Sequence, residues 1–266
     1  MGPRCSILSL QMPQRGPLFA ARREAPRRAM VNNDAMADNP RLALAEAISE
    51  ALMDRYPGEI HAIGAQGSLA HRDDVDGSDV VLTVVTKRAG GGPAPTSRRV
   101  RGIVVEIDVI SADGLLNLAR TLSASWPLLA DRYLTALALY DPMHWHDRLR
   151  DTHLAHLAEA KADEFALHAR QAWCRAATGR QHAIRLAERH ETDGAMLTLG
   201  ESRLASALVE GLLSRTYFRS SGDAVQRTGL GDAGLTELAR HLTEQADQLA
   251  RRGRPVDGSL DDLMEA

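Results

Sequence analysis

HAIGAQGSLAHRDDVDGSDVVLTVV, residues 61–85, decides how the rest of this chain is read. Its two ends, His61–Ala65 and Val80–Val85, are short, apolar and rich in β-branched residues, the pattern of strands in a sheet covered by helices. Between them lie a Gly67-Ser68 turn and a polar excursion with Asp73, Asp74 and Asp76; Asp79 stands eleven residues after Ser68, at the mouth of the second strand. A third apolar run, IVVEIDVI from Ile103 to Ile110, carries Glu106 and Asp108 in its middle. Burying an unpaired carboxylate is expensive, so acids inside an apolar strand are expected to be paired or to face a ligand. Glu106 and Asp108 are two residues apart, which puts both on one face.

If that third run lies beside the strand opened by Asp79, three acids converge near the sheet edge. Oxygen-only sets of this kind suit Mg²⁺, which takes one or two protein carboxylates and fills its other positions with water and substrate phosphates. The Gly-Ser turn offers the complement: backbone N–H groups freed of side-chain bulk, and a hydroxyl, at the start of a short helix that welcomes an anion. A phosphate cradle beside metal carboxylates points to nucleotide chemistry.

The pattern of Gly67-Ser68, Ser78-Asp79 and Glu106 on a following strand resembles the polymerase-β-type nucleotidyltransferase superfamily. The longer segment VEIDVISADGLLNLARTLSASWPLLADRYLTALALYDP, Val105–Pro142, is similar to the kanamycin (aminoglycoside) nucleotidyltransferase family, and the resemblance extends over residues 40–255. It implies an α/β (α+β) fold, a nucleotidyltransferase domain with a mixed sheet and flanking helices followed by a C-terminal helical bundle. It also implies transfer of a nucleoside monophosphate from Mg²⁺-bound ATP, or another nucleoside triphosphate, to a hydroxyl of a small, aminoglycoside-like acceptor, in a cytoplasmic homodimer. Under the resemblance Asp79 is a metal ligand and Glu106 a ligand or partial base, while Gly67 and Ser68 receive the phosphates. An arginine usually follows the family's Gly-Ser turn by three positions; here His71 holds that place and Arg72 is displaced by one, so either side chain is a candidate for touching a triphosphate. Gly179-Arg180 looks like the family's glycine-lysine pair, which makes Arg180 a further phosphate candidate.

Two departures bear on activity. The family's metal strand reads aspartate, apolar, acid, whereas this chain reads Asp79, Val80, Val81. If losing that carboxylate costs about 3–5 kcal/mol of transition-state stabilisation, the rate falls by about 10²–10⁴. A repair is available in Asp108, which shares a face with Glu106; the expectation is a displaced set of Asp79, Glu106 and Asp108 that keeps one metal. The second departure is the family's helical glutamate base, for which the stretch Phe165–Arg185 offers no glutamate, leaving Glu164 and Glu188 as counterparts. The alternative to an active transferase is therefore a degenerate homologue that binds a nucleotide or a partner. A weaker option is the nucleotidyltransferase of a toxin–antitoxin pair, although those chains are shorter.

The remaining composition narrows the field. With 266 residues, 44% hydrophobic, the chain supports one large or two ordinary domains, and a net charge of −3 with pI near 6.4 gives no overall pull toward nucleic acid. Cys5 and Cys174 fit neither a metal spacing nor a disulfide framework, and no apolar run reaches the ~18 residues of a membrane span. The expected organisation is a leader over 1–36, the nucleotidyltransferase domain over 37–141, the helical bundle over 142–256 and a tail over 257–266. The leader has six arginines against one glutamate up to Met30, which reads as disordered or as an upstream start with Met36 the true one, or else as an organelle transit segment.

Within the ordered part, Asn39-Pro40 reads as a cap and first turn, with the helix stopped by Pro57. Ser111 and Ser125-Pro127 open two more helices, and Lys87–Ser97 reads as a flexible hairpin connection. After Asp141 the helices are expected to break at Gly179, Asp193-Gly194 and Gly222. Trp126 is either a core aromatic or part of the substrate groove. His144, His146, His153 and His156 lack an acid or cysteine at zinc-like spacing and read as solvated helix residues. The acids Asp73, Asp74 and Asp76 would suit a polycationic sugar, or are simply solvated.

Overall fold

A computed structural model describes residues 39–264 of the chain, so the expected leader lies outside the described residues. The order begins α1 (Pro40–Arg55), β1 (Ile60–Gln66), α2 (Gly67–His71), β2 (Val80–Thr86), β3 (Thr96–Val100) and β4 (Ile103–Ser111). It continues with α3 (Ala112–Ala119), α4 (Trp126–Leu134), β5 (Leu137–Tyr140) and α5 (Trp145–Glu159). The remaining elements are helical: α6 (Ala162–Glu188), α7 (Thr192–Ser214), α8 (Ser221–Arg227), α9 (Leu235–Arg251) and the short α10 (Leu260–Met264). This is the α+β class read from the sequence, a mixed five-stranded sheet with flanking helices and a helical C-terminal region. Among the described residues no helix is long and apolar enough to cross a membrane.

The sheet runs β3-β4-β2-β1-β5. The expected neighbourhood holds, because β2 pairs with β4 in parallel, Val81 beside Glu106 and Thr83 beside Asp108. On its other side β2 meets β1 antiparallel, with Gln66 opposite Val81 and Gly64 opposite Thr83. These registers stack three rows on one face: Gln66–Val81–Glu106, Gly64–Thr83–Asp108 and Ala62–Val85–Ile110.

The two faces are covered differently. Ala65, Val80, Leu82 and Val105 point the other way and bury against Leu42, Leu44 and Ala45 of α1. That helix starts where expected, Asn39 accepting the amides of Arg41 and Leu42 ahead of proline at the first helical position. On the face of the three rows, Ala62 and Val85 lie under Leu115, Leu116 and Ala119 of α3, Tyr133 of α4 and Trp145 and Leu149 of α5. The cover stops there: Gln66 and Val81 are partly exposed and Glu106 is exposed. A larger core joins α4 to the C-terminal helices through Trp126, Phe165, Ala172, Ala176, Leu212 and Leu249.

Several local expectations are corrected. Gly179 does not break a helix but lies inside α6, where a Cβ would come within 3.1 Å of the Ser202 Cβ; the glycine lets α6 and α7 approach closely. Gly194 and Gly222 are likewise inside α7 and α8, and the chain turns instead at His190 and at Arg215, whose φ values of 62° and 54° are left-handed. Ser111 caps α3 through the amide of Gly114, whereas Ser125 precedes α4 without a side-chain cap. The loop after Lys87 gives way at Thr96 to β3, an exposed edge strand, and Leu137–Tyr140 forms the opposite edge.

Candidate functional site

β1 ends at Gln66, and Gly67 turns the chain into α2 with a φ of 63°, a left-handed value that favours glycine. Because Gln66 pairs with Val81, this turn lies at the end of the sheet where Asp79 immediately precedes β2. Continuing the pleat by two residues sets Asp79 on the face of Val81, diagonal to Glu106 on the neighbouring strand. Asp79 and Glu106 are both exposed, and neither makes an ion pair or side-chain hydrogen bond among the described residues. The Ser68 carbonyl receives the amides of Arg72 and Asp73, closing the turn, while its hydroxyl has no partner among the described residues.

Asp108 is placed differently. Its Oδ2 lies 3.3 Å from a guanidinium nitrogen of Arg132 on α4, and the same nitrogen reaches Thr83 Oγ1 at 3.4 Å. Thr83, almost fully buried, also accepts from Gln66 Nε2 at 2.8 Å. Among the described residues no three His, Cys, Asp or Glu side chains come together as a metal-holding group. The three-acid set of Asp79, Glu106 and Asp108 is thus not assembled, because Asp108 is drawn to a cation of the protein itself. What fits Mg²⁺ is the remaining pair, Asp79 and Glu106, exposed and uncommitted on one face; Mg²⁺ needs only one or two protein carboxylates when phosphates and water complete its shell.

The two phosphate candidates after the turn part company. Arg72 caps α2 in the left-handed region and is exposed without a partner among the described residues. His71 turns inward, its Nε2 lying 3.0 and 2.9 Å from the two carboxylate oxygens of Asp131, whose Oδ1 also accepts from Thr135 Oγ1. This tie fixes α2 to α4, and sequence reasoning missed it; the signal was an acid and a base, Asp131-Arg132, inside an otherwise apolar helix. Arg180 donates through Nε to the carbonyl of Leu235 at 2.8 Å, which commits it to the start of α9. Glu164 and Glu188 are both exposed, in the first turn and at the end of α6, about 36 Å apart along its axis.

Other candidates resolve into structure. Trp126 is core, packed edge-on to Phe165 and donating its indole N–H to His153 Nε2. His153 is wholly buried rather than solvated, its Nδ1 2.7 Å from the Ala119 carbonyl, and burial lowers its pKa. His146 is also largely buried: its Nδ1 meets Asp141, and its Nε2 sits where a Gly64 Cβ would come within 2.5 Å of it. Burial pushes the Asp141 carboxyl up, but the amides of His146 and Trp145 together with the His146 ring outweigh it and leave the pKa lowered. Of the loop acids, Asp73 binds Arg219 and Asp74 accepts from Asn39, whereas Asp76 is fully exposed, 3.8 Å from Arg41.

Two curated proteins share sequence with this chain. Both are called aminoglycoside nucleotidyltransferase (4'), one from Staphylococcus aureus and one from a Bacillus species; each is 27% identical over 119 residues, which cover 44% of this chain and 46% of theirs. The chain therefore matches less than half the length of these relatives. A solved nucleotidyltransferase-like protein from Exiguobacterium sibiricum aligns over 83% of this chain and 84% of its own, at 15% identity and a TM-score of 0.42. No family profile matches the chain.

Proposed function

We propose that this protein is a nucleotidyltransferase that moves a nucleoside monophosphate from a triphosphate such as ATP to a hydroxyl of a small, aminoglycoside-like acceptor, working as a homodimer. The observation that supports it most is the register that sets Val81 between Gln66 and Glu106, with Asp79 at the mouth of the same strand and the Gly67-Ser68 turn one residue beyond Gln66. The open turn and the Ser68 hydroxyl would receive phosphate oxygens, and Arg72 is exposed beside them. Asp79 and Glu106 would hold a Mg²⁺ arriving with the triphosphate, whose chemistry is to neutralise phosphate charge during in-line displacement. The tie from His71 to Asp131 keeps the turn fixed against α4, so the donors stand ready rather than ordering on binding. Arg180, bound to α9, is not needed in this reading.

Val81 favours a second reading, in which the site binds nucleotide but transfers it poorly or not at all. Its isopropyl group faces Glu106 across the parallel ladder at the place where the resemblance expects an acid. One assay separates the two. The protein is incubated with labelled ATP, Mg²⁺ and a panel of aminoglycosides, beside a Val81→Asp variant. Transfer by the natural sequence supports the enzyme, and transfer only by the variant supports the degenerate form. If neither transfers and neither binds nucleotide, both readings fail.

A further inference from the structure

Arg132 of α4 reaches onto the sheet face at Thr83 and Asp108, and it is poorly satisfied. One terminal nitrogen makes both of its contacts, 3.3 Å to Asp108 and 3.4 Å to Thr83, near the long limit for such bonds. Its Nε is buried and has no partner. Other buried or partly buried arginines are better used: Arg203 donates to the carbonyls of Ala233 and Gly231, and Arg41 to that of Ser78. A guanidinium is a rigid fork that binds phosphate oxygens in pairs, and leaving its donors unfilled in a half-buried place is costly unless a ligand fills them.

The surroundings say what ligand. Thr83 and Asp108 form the row next to Val81 and Glu106, about 6.6 Å further in along the strands. An apolar Val81 in place of an acid and a guanidinium beside Asp108 both shift this face from holding cations toward holding an anion. Asp108, 42% exposed on its side chain, is an occupant that can leave. We infer that Arg132 is a ligand-contacting residue of this site: its guanidinium exchanges Asp108 for an anionic oxygen of the bound nucleotide's phosphates. The inference rests on the nucleotide reading of the site and adds to it a residue that neither the acid pattern nor the Gly-Ser turn contains.

The test is titration calorimetry of the full chain with ATP, with Mg²⁺ and again in EDTA, for the natural sequence, Arg132→Gln, Arg132→Lys and Asp108→Asn, each checked by thermal melting. The expected results are at least a tenfold loss of affinity in Arg132→Gln, partial recovery in Arg132→Lys, and severalfold tighter binding in Asp108→Asn, because the internal competitor is gone. Tighter binding is a signal that a merely structural ion pair would not give. Should Arg132→Gln fail to fold, Arg132→Lys and Asp108→Asn decide. Binding by Arg132→Gln within twofold of the natural sequence, or weakening in Asp108→Asn, overturns the inference while the nucleotide reading stands. No binding of ATP, GTP, CTP or UTP by the natural sequence overturns both.

Discussion

The sheet face and the C-terminal helices handle polar groups in opposite ways. Between α6, α7 and α9 the buried or half-buried polar side chains are committed to holding backbone or one another: Ser202 to Ala176, Ser206 to Gln245, Trp173 to Leu242, Arg180 to Leu235. On the sheet face Asp79, Glu106 and the Ser68 hydroxyl are uncommitted, and Arg132 is barely engaged. The buried side-chain nitrogens without partners, on Arg132, Trp145 and His156, all precede α6 among the described residues. Groups already bonded inside a protein hold its shape, and groups left unbonded at an open edge are available to a ligand. Under the proposed function, that difference assigns ligand binding to the sheet face and stability to the helices, and each substitution below breaks or sharpens it.

The largest effect is expected at Glu106. Replacing it with glutamine removes a charge from the open row while disturbing no partner, so under the proposed function transfer to an acceptor should fall by about 10²–10³, or roughly 3–4 kcal/mol. Stability should stay within about 0.5 kcal/mol, since Glu106 is exposed and unpaired. Initial rates and a thermal melt on the same preparation check both halves. A fall in stability as well would place Glu106 among the structural groups and blur the contrast.

Gly211 is the mirror case. A Cβ there would come within 2.7 Å of the Phe218 ring, 2.9 Å of Pro127 Cβ and 2.9 Å of the Thr216 carbonyl, and the last is backbone that cannot swing aside. Gly211→Ala should therefore lose about 2–3 kcal/mol in denaturant unfolding. The residue touches α4 at Pro127, a turn and more from Arg132, so nucleotide affinity of the folded protein should change far less than stability.

How far the sequence discloses these regions follows from what each residue type signals. β1, β2 and β4 are legible because β-branched apolar runs bounded by Gly and Asp fit little else. β3, TSRRV, is invisible by that signal, being a polar edge strand with its residues largely exposed. β5, LALY, reads as helix by propensity and becomes a strand through its pairing with β1. Gly179 looked like a helix stop because its role, letting α6 lie against Ser202, depends on a residue 23 positions away. The adjacency of the strands that carry Asp79 and Glu106 follows from the apolar runs themselves, and β2 does pair with β4. The pairings of Asp108 with Arg132 and His71 with Asp131 were not legible, since each joins elements far apart in the chain and α4 by itself looks like core.

A smaller effect should come from the helices' own polar network. Ser206 is fully buried and donates to Gln245 Oε1 at 3.1 Å, and Gln245 returns a bond to the Ser206 carbonyl. Ser206→Ala leaves the amide oxygen buried without a donor, which should cost about 1–2 kcal/mol in urea unfolding. Gln245→Leu in the same background removes the stranded group and should recover part of that loss. If the double variant is no better than the single one, packing rather than polar satisfaction holds this interface.

His153, on α5, ties the two regions together, bonding to Ala119 of α3 over the sheet and to Trp126 of α4 in the core shared with the C-terminal helices. Burial is the main cause of its lowered pKa; the bond to the Ala119 carbonyl opposes that shift and the nearby His156 adds to it. Nε2 must also stay unprotonated to accept the Trp126 indole N–H. Above about pH 6.5 the ring is neutral in both the folded and unfolded chain, and its titration adds nothing. Below that value the unfolded chain binds a proton that the folded chain refuses down to its own lower pKa, so stability falls as pH falls through that window. One group sets an upper bound of about 1.4 kcal/mol per pH unit on the slope. Urea unfolding between pH 7.5 and 5 should show the decline, and His153→Gln should flatten it whatever the substitution costs at neutral pH. The lowered pKa of His61 adds a component of the same sign, so some slope survives in the variant. An undiminished slope would mean that His153 takes up its proton without loosening the contact between Trp126 and α5.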